Sequence, residues 1–260
     1  MESYQIGGYD IRDIQKRMLD IMLEIDRICK KYSLRYLLDG GTLLGAVRHK
    51  GFIPWDDDAD VMMPRDDYER FVKISEKEMR SPFVFQCLDN TKEYPYNFGK
   101  VFDTSTVYTE RFTAELDMSH GIYVDVFPMD YVDEKDYLKH AKMVGHYTML
   151  RYYKLGISGG PKAFVAKLLP LSFINARAQA HMKYHKGHSD MVCKLCHHGK
   201  NKPPIPISLF DDTTEVPYEN AKLTIPSAYD SFLTGRYGDY MQLPPLEQQK
   251  PCHNVKEIRL

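Results

Sequence analysis

The sequence predicts an α+β fold, a β-sheet core flanked by helices with an additional helical lobe, and three observations carry that reading. Ile11, Ile14, Met18, Ile21, Met22, Ile25 and Ile28 recur at helical spacing near the start of the chain. From Phe83 to Phe127, short runs rich in β-branched and aromatic residues are separated by Asp-Asn, Tyr-Pro and Asp-Thr breaks, as strands are. From Glu134 onward the pattern turns helical again. A chain of 260 residues can bury a sizeable core, as one large domain or as a core with a lobe. The divisions expected are a core over 1–135, a helical lobe over 136–205 and a C-terminal segment over 206–260 that packs back on the core as part of one compact unit.

In chain order, residues 10–31 form an amphipathic scaffold helix that Ser33 breaks. Leu34 to Leu38 reads as the first strand, ending at a Gly40-Gly41 turn, with a helix beginning near Thr42. Residues 56–63 read as a strand. Pro64 then suits an early helical position and Asp66-Asp67 the positive end of a helix of roughly fifteen residues, with Tyr68, Phe71, Val72 and Ile74 on its apolar side. Strands follow at Phe83 to Cys87, Phe98 to Phe102, Thr106 to Phe112 and Ile122 to Phe127, the last closed by Pro128. Glu134 to about Lys154 is helical, Ser158-Gly-Gly-Pro161 is a turn, and 162–186 is a basic, apolar helical segment holding Phe164, Val165, Leu168, Leu169 and Phe173. Past Phe210, strand-like pieces lead to a helix from Pro226 to Tyr237 that Gly238 stops. Pro244-Pro245 and Pro251 then mark a loose or strap-like terminus.

Composition narrows the function classes. A net charge of −1 argues against a nucleic-acid binder that works by bulk charge, so no nucleic-acid partner is expected. Met1 to Gly8 is short and polar, unlike a signal peptide, and no apolar run approaches the length needed to cross a bilayer. Five scattered cysteines, an odd number, do not form a disulfide framework, and a cytoplasmic location is expected. The basic segment 162–186 adds a possible contact with the inner face of a membrane.

Residues 37–65 carry the chemistry. Gly40-Gly41-Thr42 sits where one apolar run gives way to another; small residues let backbone N–H groups approach a phosphate, and the following helix aims its positive end there. Asp56, Asp58 and Asp60 alternate with Asp57, Ala59 and Val61, so a strand would set three carboxylates on one face. Three like charges at that spacing repel unless a cation neutralises them, and Mg²⁺ or Mn²⁺ is the natural one for oxygen ligands. An EF-hand calcium loop would need glycine and glutamate where Val61 and Asp67 stand. A phosphate cradle facing a metal-binding strand is the apparatus of phosphoryl transfer.

This stretch closely resembles the signature of the LicD family of phosphocholine transferases, whose wider superfamily includes the fukutin-related ribitol-phosphate transferases. Lys100-Val-Phe-Asp-Thr-Ser-Thr106, Tyr123-Val-Asp-Val-Phe-Pro-Met-Asp130 and Arg236-Tyr-Gly-Asp-Tyr-Met-Gln-Leu-Pro-Pro245 resemble later family blocks, leaving about 140–220 poorly matched. The resemblance implies a nucleotidyltransferase-like fold with a mixed sheet and a third acidic residue on a later strand, Asp125. It implies a CDP-choline-type donor and, as acceptor, a hydroxyl of a cell-surface glycan such as lipopolysaccharide, teichoic acid or capsule, or its lipid-linked precursor. Asp58 and Asp60 are then the principal Mg²⁺ or Mn²⁺ ligands, with Asp56 beside them. Asp125 orients or deprotonates the acceptor hydroxyl and touches metal. Gly40, Gly41, Thr42, Arg48, His49 and Lys50 are the phosphate and nucleotide contacts, with Arg48 favoured by the family block. A quaternary ammonium would want aromatic faces, with Trp55 first choice and Tyr123 second.

Alternatives remain open on the residues alone. A nucleotide-sugar glycosyltransferase explains the carboxylates but not the upstream glycine pair; a nucleotidyltransferase fits almost as well, and CDP-glycerol or CDP-ribitol would present the same diphosphate. A dead binding module would be expected to lose carboxylates, and all are present. Cys193-Lys-Leu-Cys196-His197, with His185, His188 and His198 nearby, matches the haem-attachment spacing, but the cluster is read as incidental, without zinc.

Overall fold

In the computed structural model, which describes residues 4–161, 163–185, 187–197 and 203–260 (of Val165 the backbone only), a short hairpin of β1 (Gln5–Ile6) and β2 (Tyr9–Asp10) leads into α1 (Ile11–Tyr32). The Asp10 carboxylate caps the helix by accepting the Arg12 N–H at 2.8 Å. Ser33 ends it in the left-handed conformation, φ 51°, a position an L-residue adopts at some cost. All seven apolar residues that predict this helix are buried on it.

The chain continues through β3 (Leu37–Leu38), α2 (Gly40–Arg48), β4 (Asp60–Pro64), α3 (Arg65–Glu78), β5 (Phe83–Gln86), β6 (Gly99–Asp103), β7 (Val107–Glu110) and β8 (Ile122–Tyr131). The lobe holds α4 (Tyr137–Lys154), α5 (Ala163–Leu168) and α6 (Leu171–Met182), followed by β9 (Met191–Cys193) and β10 (Ile205–Pro206). A hairpin of β11 (Thr213–Tyr218) and β12 (Ala221–Pro226), helix α7 (Tyr229–Tyr237) and β13 (Val255–Arg259) complete it.

Among the described residues the central sheet has seven strands in the order β10-β9-β8-β4-β3, with β6 pairing the same edge of β8 as β9 and β5 pairing β6. β4 and β8 run parallel, while β3/β4, β6/β8 and β8/β9 are antiparallel, so the sheet is mixed and the fold is α+β. The strand period of two divides the core between its faces. Val61, Met63, Val124 and Val126 pack with the residues of α1, whereas Met62, Phe127 and Met129 pack with Val144, Met182 and Cys193 of the lobe side. Leu150, Ala166 and Ile174 join α4, α5 and α6. Arg151, fully buried, donates to Asn97 Oδ1 at 2.7 Å, to the Pro95 carbonyl at 3.1 Å and to Asn175 Oδ1 at 2.7 Å, tying the lobe to the loop before β6.

Four sequence expectations need correction. The strand predicted over 56–63 begins only at Asp60, because Pro54 and Trp55 turn and residues 56–59 run as a loop whose Ala59 carbonyl alone reaches the sheet, accepting the Asp125 N–H. Pro128 does not close β8. The Asp125 N–H points to Ala59 at 2.9 Å, so alternate donors from 126 and 128 face the other edge, where β6 stops opposite Val126 and β9 begins opposite Asp130. Proline therefore falls in the gap, where its missing donor costs no ladder bond. Residues 162–186 are two helices parted before Pro170, with Lys162, Lys186 and the Val165 side chain outside the described residues. The terminus is not loose, since β13 pairs antiparallel with β7.

Candidate active site

Register brings the acidic residues together. Asp60, the first residue of β4, lies directly opposite Asp125 in β8, and Asp125 lies opposite Lys100 in β6. Asp60 shares its face with Met62, and Asp125 with Phe127, so both carboxylates stand on the lobe-facing side. Asp56 and Asp58 reach the same place from the loop. Gln15 of α1 holds that loop by donating to the Ile53 carbonyl at 3.0 Å and the Asp56 carbonyl at 2.8 Å.

The glycine turn meets these carboxylates at close range. Gly40, the first residue of α2, has φ +59°; a Cβ there would lie 2.9 Å from Asp60 Oδ2, and one on Gly41 2.4 Å from Asp56 Oδ2. A side chain at either position would have to displace one of these carboxylates, so glycine is favoured twice, by backbone sign at Gly40 and by space at both. The Thr42 hydroxyl accepts the Asp60 N–H at 2.8 Å, which locks the turn to β4.

Electrostatics follow from this crowding. Burial raises the Asp58 carboxyl well above the usual range, and the neighbouring Asp56 raises it further. Asp60 is pushed up by burial and by Asp58, and burial takes Asp56 to about 6 although Asp58 donates a hydrogen bond to it. Asp125 is raised by burial against the opposing pull of Lys100, whose Nζ lies 2.6 Å from its Oδ1. Carboxyls so strained, all hard oxygen donors, two of them against the glycine turn, fit a divalent cation such as Mg²⁺.

Several functional candidates carry too weak a sequence signal to be found beforehand. Asp39, the N-cap of α2, is fully buried between Lys194 and Arg236; burial raises its carboxyl, but the two cations win and hold it well below the carboxylate range. Arg236 leaves its Nε buried without a hydrogen-bond partner. Lys100 sits under an aromatic roof, 3.4 Å from the Tyr123 ring centroid and 4.5 Å from that of Tyr96. A lone lysine inside an apolar strand was the available clue.

The predicted nucleotide contacts split. Gly40, Gly41 and Thr42 stand at one end of α2, while Arg48, His49 and Lys50 stand at the other, nine residues or about 13 Å away. Arg48 donates to the Tyr240 and Gln242 carbonyls at 2.8 and 3.2 Å. It still lines a cavity of about 620 Å³ with Gly41, Trp55, Asp56, Tyr237 and Tyr240. The His49 and Trp55 rings lie nearly perpendicular, and Lys50 is exposed with φ 58°. Tyr123 is buried beneath Lys100 and presents no free face there.

Cys193 and Cys196 are both buried, and burial pushes the Cys193 thiol up to about 12 and that of Cys196 higher. Cys196 donates to the Pro128 carbonyl at 3.9 Å. His188 approaches Asp66 at 3.6 Å, and His198 lies outside the described residues. Lys194, between the two cysteines, is the residue of that motif that reaches the site. Among the described residues one trio of metal-ligating atoms converges within 4.8 Å, and it is Asp57, Cys252 and His253 rather than the predicted acidic set.

A family model described as LicD/FKTN/FKRP, nucleotidyltransferase domain, matches residues 33–180. The chain is 31% identical over 261 residues to the lipopolysaccharide cholinephosphotransferase LicD of Haemophilus influenzae, covering 95% of this chain and 97% of that protein. It is 29% identical over 158 residues to the human ribitol 5-phosphate transferase FKRP, 59% of this chain and 26% of that one. An uncharacterized Rickettsia typhi protein is 39% identical over 75 residues, 28% of this chain. No helix among the described residues is long and apolar enough to cross a membrane.

Proposed function

The chain belongs to the LicD/FKTN/FKRP family, and on that premise we propose that it transfers phosphocholine from CDP-choline to a hydroxyl of a cell-surface glycan or its precursor, releasing CMP. The observation that carries this reading is the register of Asp60 against Asp125, with Asp60 and Asp56 set against the glycine turn that opens α2. Mg²⁺ held by Asp58 and Asp60, with Asp56 beside them, would screen the donor pyrophosphate and the charge growing on CMP. Backbone N–H groups at Gly40 and Gly41 hold a phosphate oxygen at the positive end of α2. Lys194 and Arg236, already fixed by Asp39, supply positive charge beside that turn, and Arg236 Nε has a bond to give.

Asp125 takes the acceptor proton. Its raised carboxyl makes it a better base than an exposed aspartate, and Lys100 keeps it oriented and ionised until a hydroxyl arrives. The oxygen so activated attacks the β-phosphorus, and the bond from that phosphorus to the bridging oxygen of CMP breaks. Trp55, Tyr237 and Tyr240 line the cavity next to Asp56 and offer ring faces to a quaternary ammonium. Phe164 and Leu168, 72% and 71% exposed on α5, with Lys167 between them, give the lobe a surface suited to the membrane that carries a lipid-linked acceptor.

The test offers CDP-choline, CDP-glycerol, CDP-ribitol and UDP-sugars in parallel with Mg²⁺ and a panel of glycan acceptors. CMP release with phosphocholine on the acceptor is expected. Release of UDP would assign a glycosyltransferase, and pyrophosphate from a nucleoside triphosphate would assign a nucleotidyltransferase; either overturns the proposal.

A further inference from the structure

The trio that converges near the acidic loop belongs to none of the roles above. Asp57 is fully buried between two residues of the acidic set, yet its carboxylate turns to the C-terminal strap. Its Oδ2 accepts the His253 N–H at 3.0 Å and its Oδ1 the Cys252 N–H at 3.1 Å. These bonds fix the carboxylate's orientation with its Oδ1 toward two further ligand atoms. His253 Nδ1 lies 3.0 Å from that oxygen, Cys252 Sγ 3.5 Å from it, and Sγ and Nδ1 are 3.7 Å apart.

Those three edges describe one face of a metal tetrahedron. Zinc bonds of about 2.3 Å to sulfur and about 2.0–2.1 Å to nitrogen and oxygen, at the tetrahedral angle, separate the ligand atoms by about 3.3–3.6 Å. The triangle thus needs shifts of only a few tenths of an ångström to accept the ion. Cys252 is exposed, so the ion has a route into the site from solvent. A thiolate and an imidazole in the set select a borderline-soft transition metal over the Mg²⁺ that suits an all-oxygen group.

We propose that Asp57, Cys252 and His253 bind one Zn²⁺ that clamps the strap leading into β13 onto the acidic loop. Binding displaces the Cys252 thiol proton and the proton on His253 Nδ1, both lost to solvent, and replaces the direct Nδ1 to Oδ1 contact with two metal bonds. Its ligands are distinct from the carboxylates assigned to Mg²⁺, and its test needs no transferase activity.

The full chain, produced in zinc-supplemented medium and dialysed, should carry about one zinc per molecule by elemental analysis. Replacing zinc with Co²⁺ should give a thiolate-to-metal charge-transfer band. Cys252→Ser, a near-isosteric change at an exposed position, should abolish the band and most of the zinc, and His253→Gln should lower the zinc content. Cys193→Ser with Cys196→Ser, and Asp60→Asn, should each leave the metal content near that of the parent. No zinc above background in the parent, a cobalt spectrum without the thiolate band, or zinc retained in Cys252→Ser but lost in the Cys193/Cys196 variant would each overturn the proposal.

Discussion

In EDTA at pH 8, Asp56→Asn should raise the melting temperature of the protein. Asp56 is forced to ionise in a place where burial opposes it, which moves its carboxyl from 3.8 to about 6. Two pK units are worth at most about 3 kcal/mol, and partial exposure lowers the expected gain to about 2 kcal/mol, or roughly 4–8 °C for a chain of this size. Asparagine keeps an acceptor oxygen for the hydrogen bond that Asp58 donates, so the charge is the main thing removed. The folded-state pKa lies above the unfolded one. The penalty is therefore absent below about pH 4, accrues up to about pH 6 and is constant above that. Differential scanning calorimetry from pH 4 to pH 8 should show the gap opening across that window. Mg²⁺ should then narrow it, because the parent gains more from the cation than the variant. A gap of equal size at both ends, or a variant less stable than the parent at pH 8 in EDTA, would refute the account of the site as a strained, cation-requiring carboxylate cluster.

Asp60→Asn should reduce transfer by roughly 1,000-fold or more while the circular dichroism spectrum stays that of the parent, since several kcal/mol of charge stabilisation is lost without loss of volume. Lys100→Met should leave the buried Asp125 carboxylate uncompensated, costing about 3 kcal/mol in urea denaturation near neutral pH. That penalty should shrink in the double variant that also carries Asp125→Asn, and an additive pair would contradict the coupling. Trp55→Ala should raise KM for CDP-choline roughly 3–30-fold, as expected for loss of one cation–π contact, while kcat holds. A proportional loss with CDP-glycerol would mean that the ring packs the cavity and does not recognise the cation.

The parts of this molecule that were legible in its sequence are those fixed by local rules. Helical spacing identifies α1 and its buried stripe, because the apolar period, the Asp10 cap and the Ser33 stop all lie within the segment itself. Gly40-Gly41 and the aspartates announce themselves for the same reason. What failed was geometry set from outside. Asp56 and Asp58 look like strand residues by alternation, but the loop is held by Gln15 from α1 and by the strap at Cys252 and His253, partners 41 and 195 residues away. Arg48, His49 and Lys50 follow the glycine turn closely in sequence, and a helix of nine residues carries them to its far end. Lys100, Lys194 and Arg236 come from three separate elements, and no local pattern announces that they converge on Asp125 and Asp39.

The pairing of β4 with β8 has a kinetic consequence. These strands are parallel and their facing residues, Asp60 and Asp125, are far apart in the chain, with α3, β5, β6 and β7 intervening. Closing such a loop is slow compared with forming a hairpin or a helix. A slip of one residue during closure would turn Asp125 to the opposite face, among the valines packed on α1, and bury a charge there without Lys100. The gap at Pro128 opposes such slippage, because a one-residue slip would turn position 128 toward β4, which needs its donor. Assembly of the acidic site and completion of the central sheet are on this account one late event in folding, and a mutation that weakens either should slow the appearance of both together.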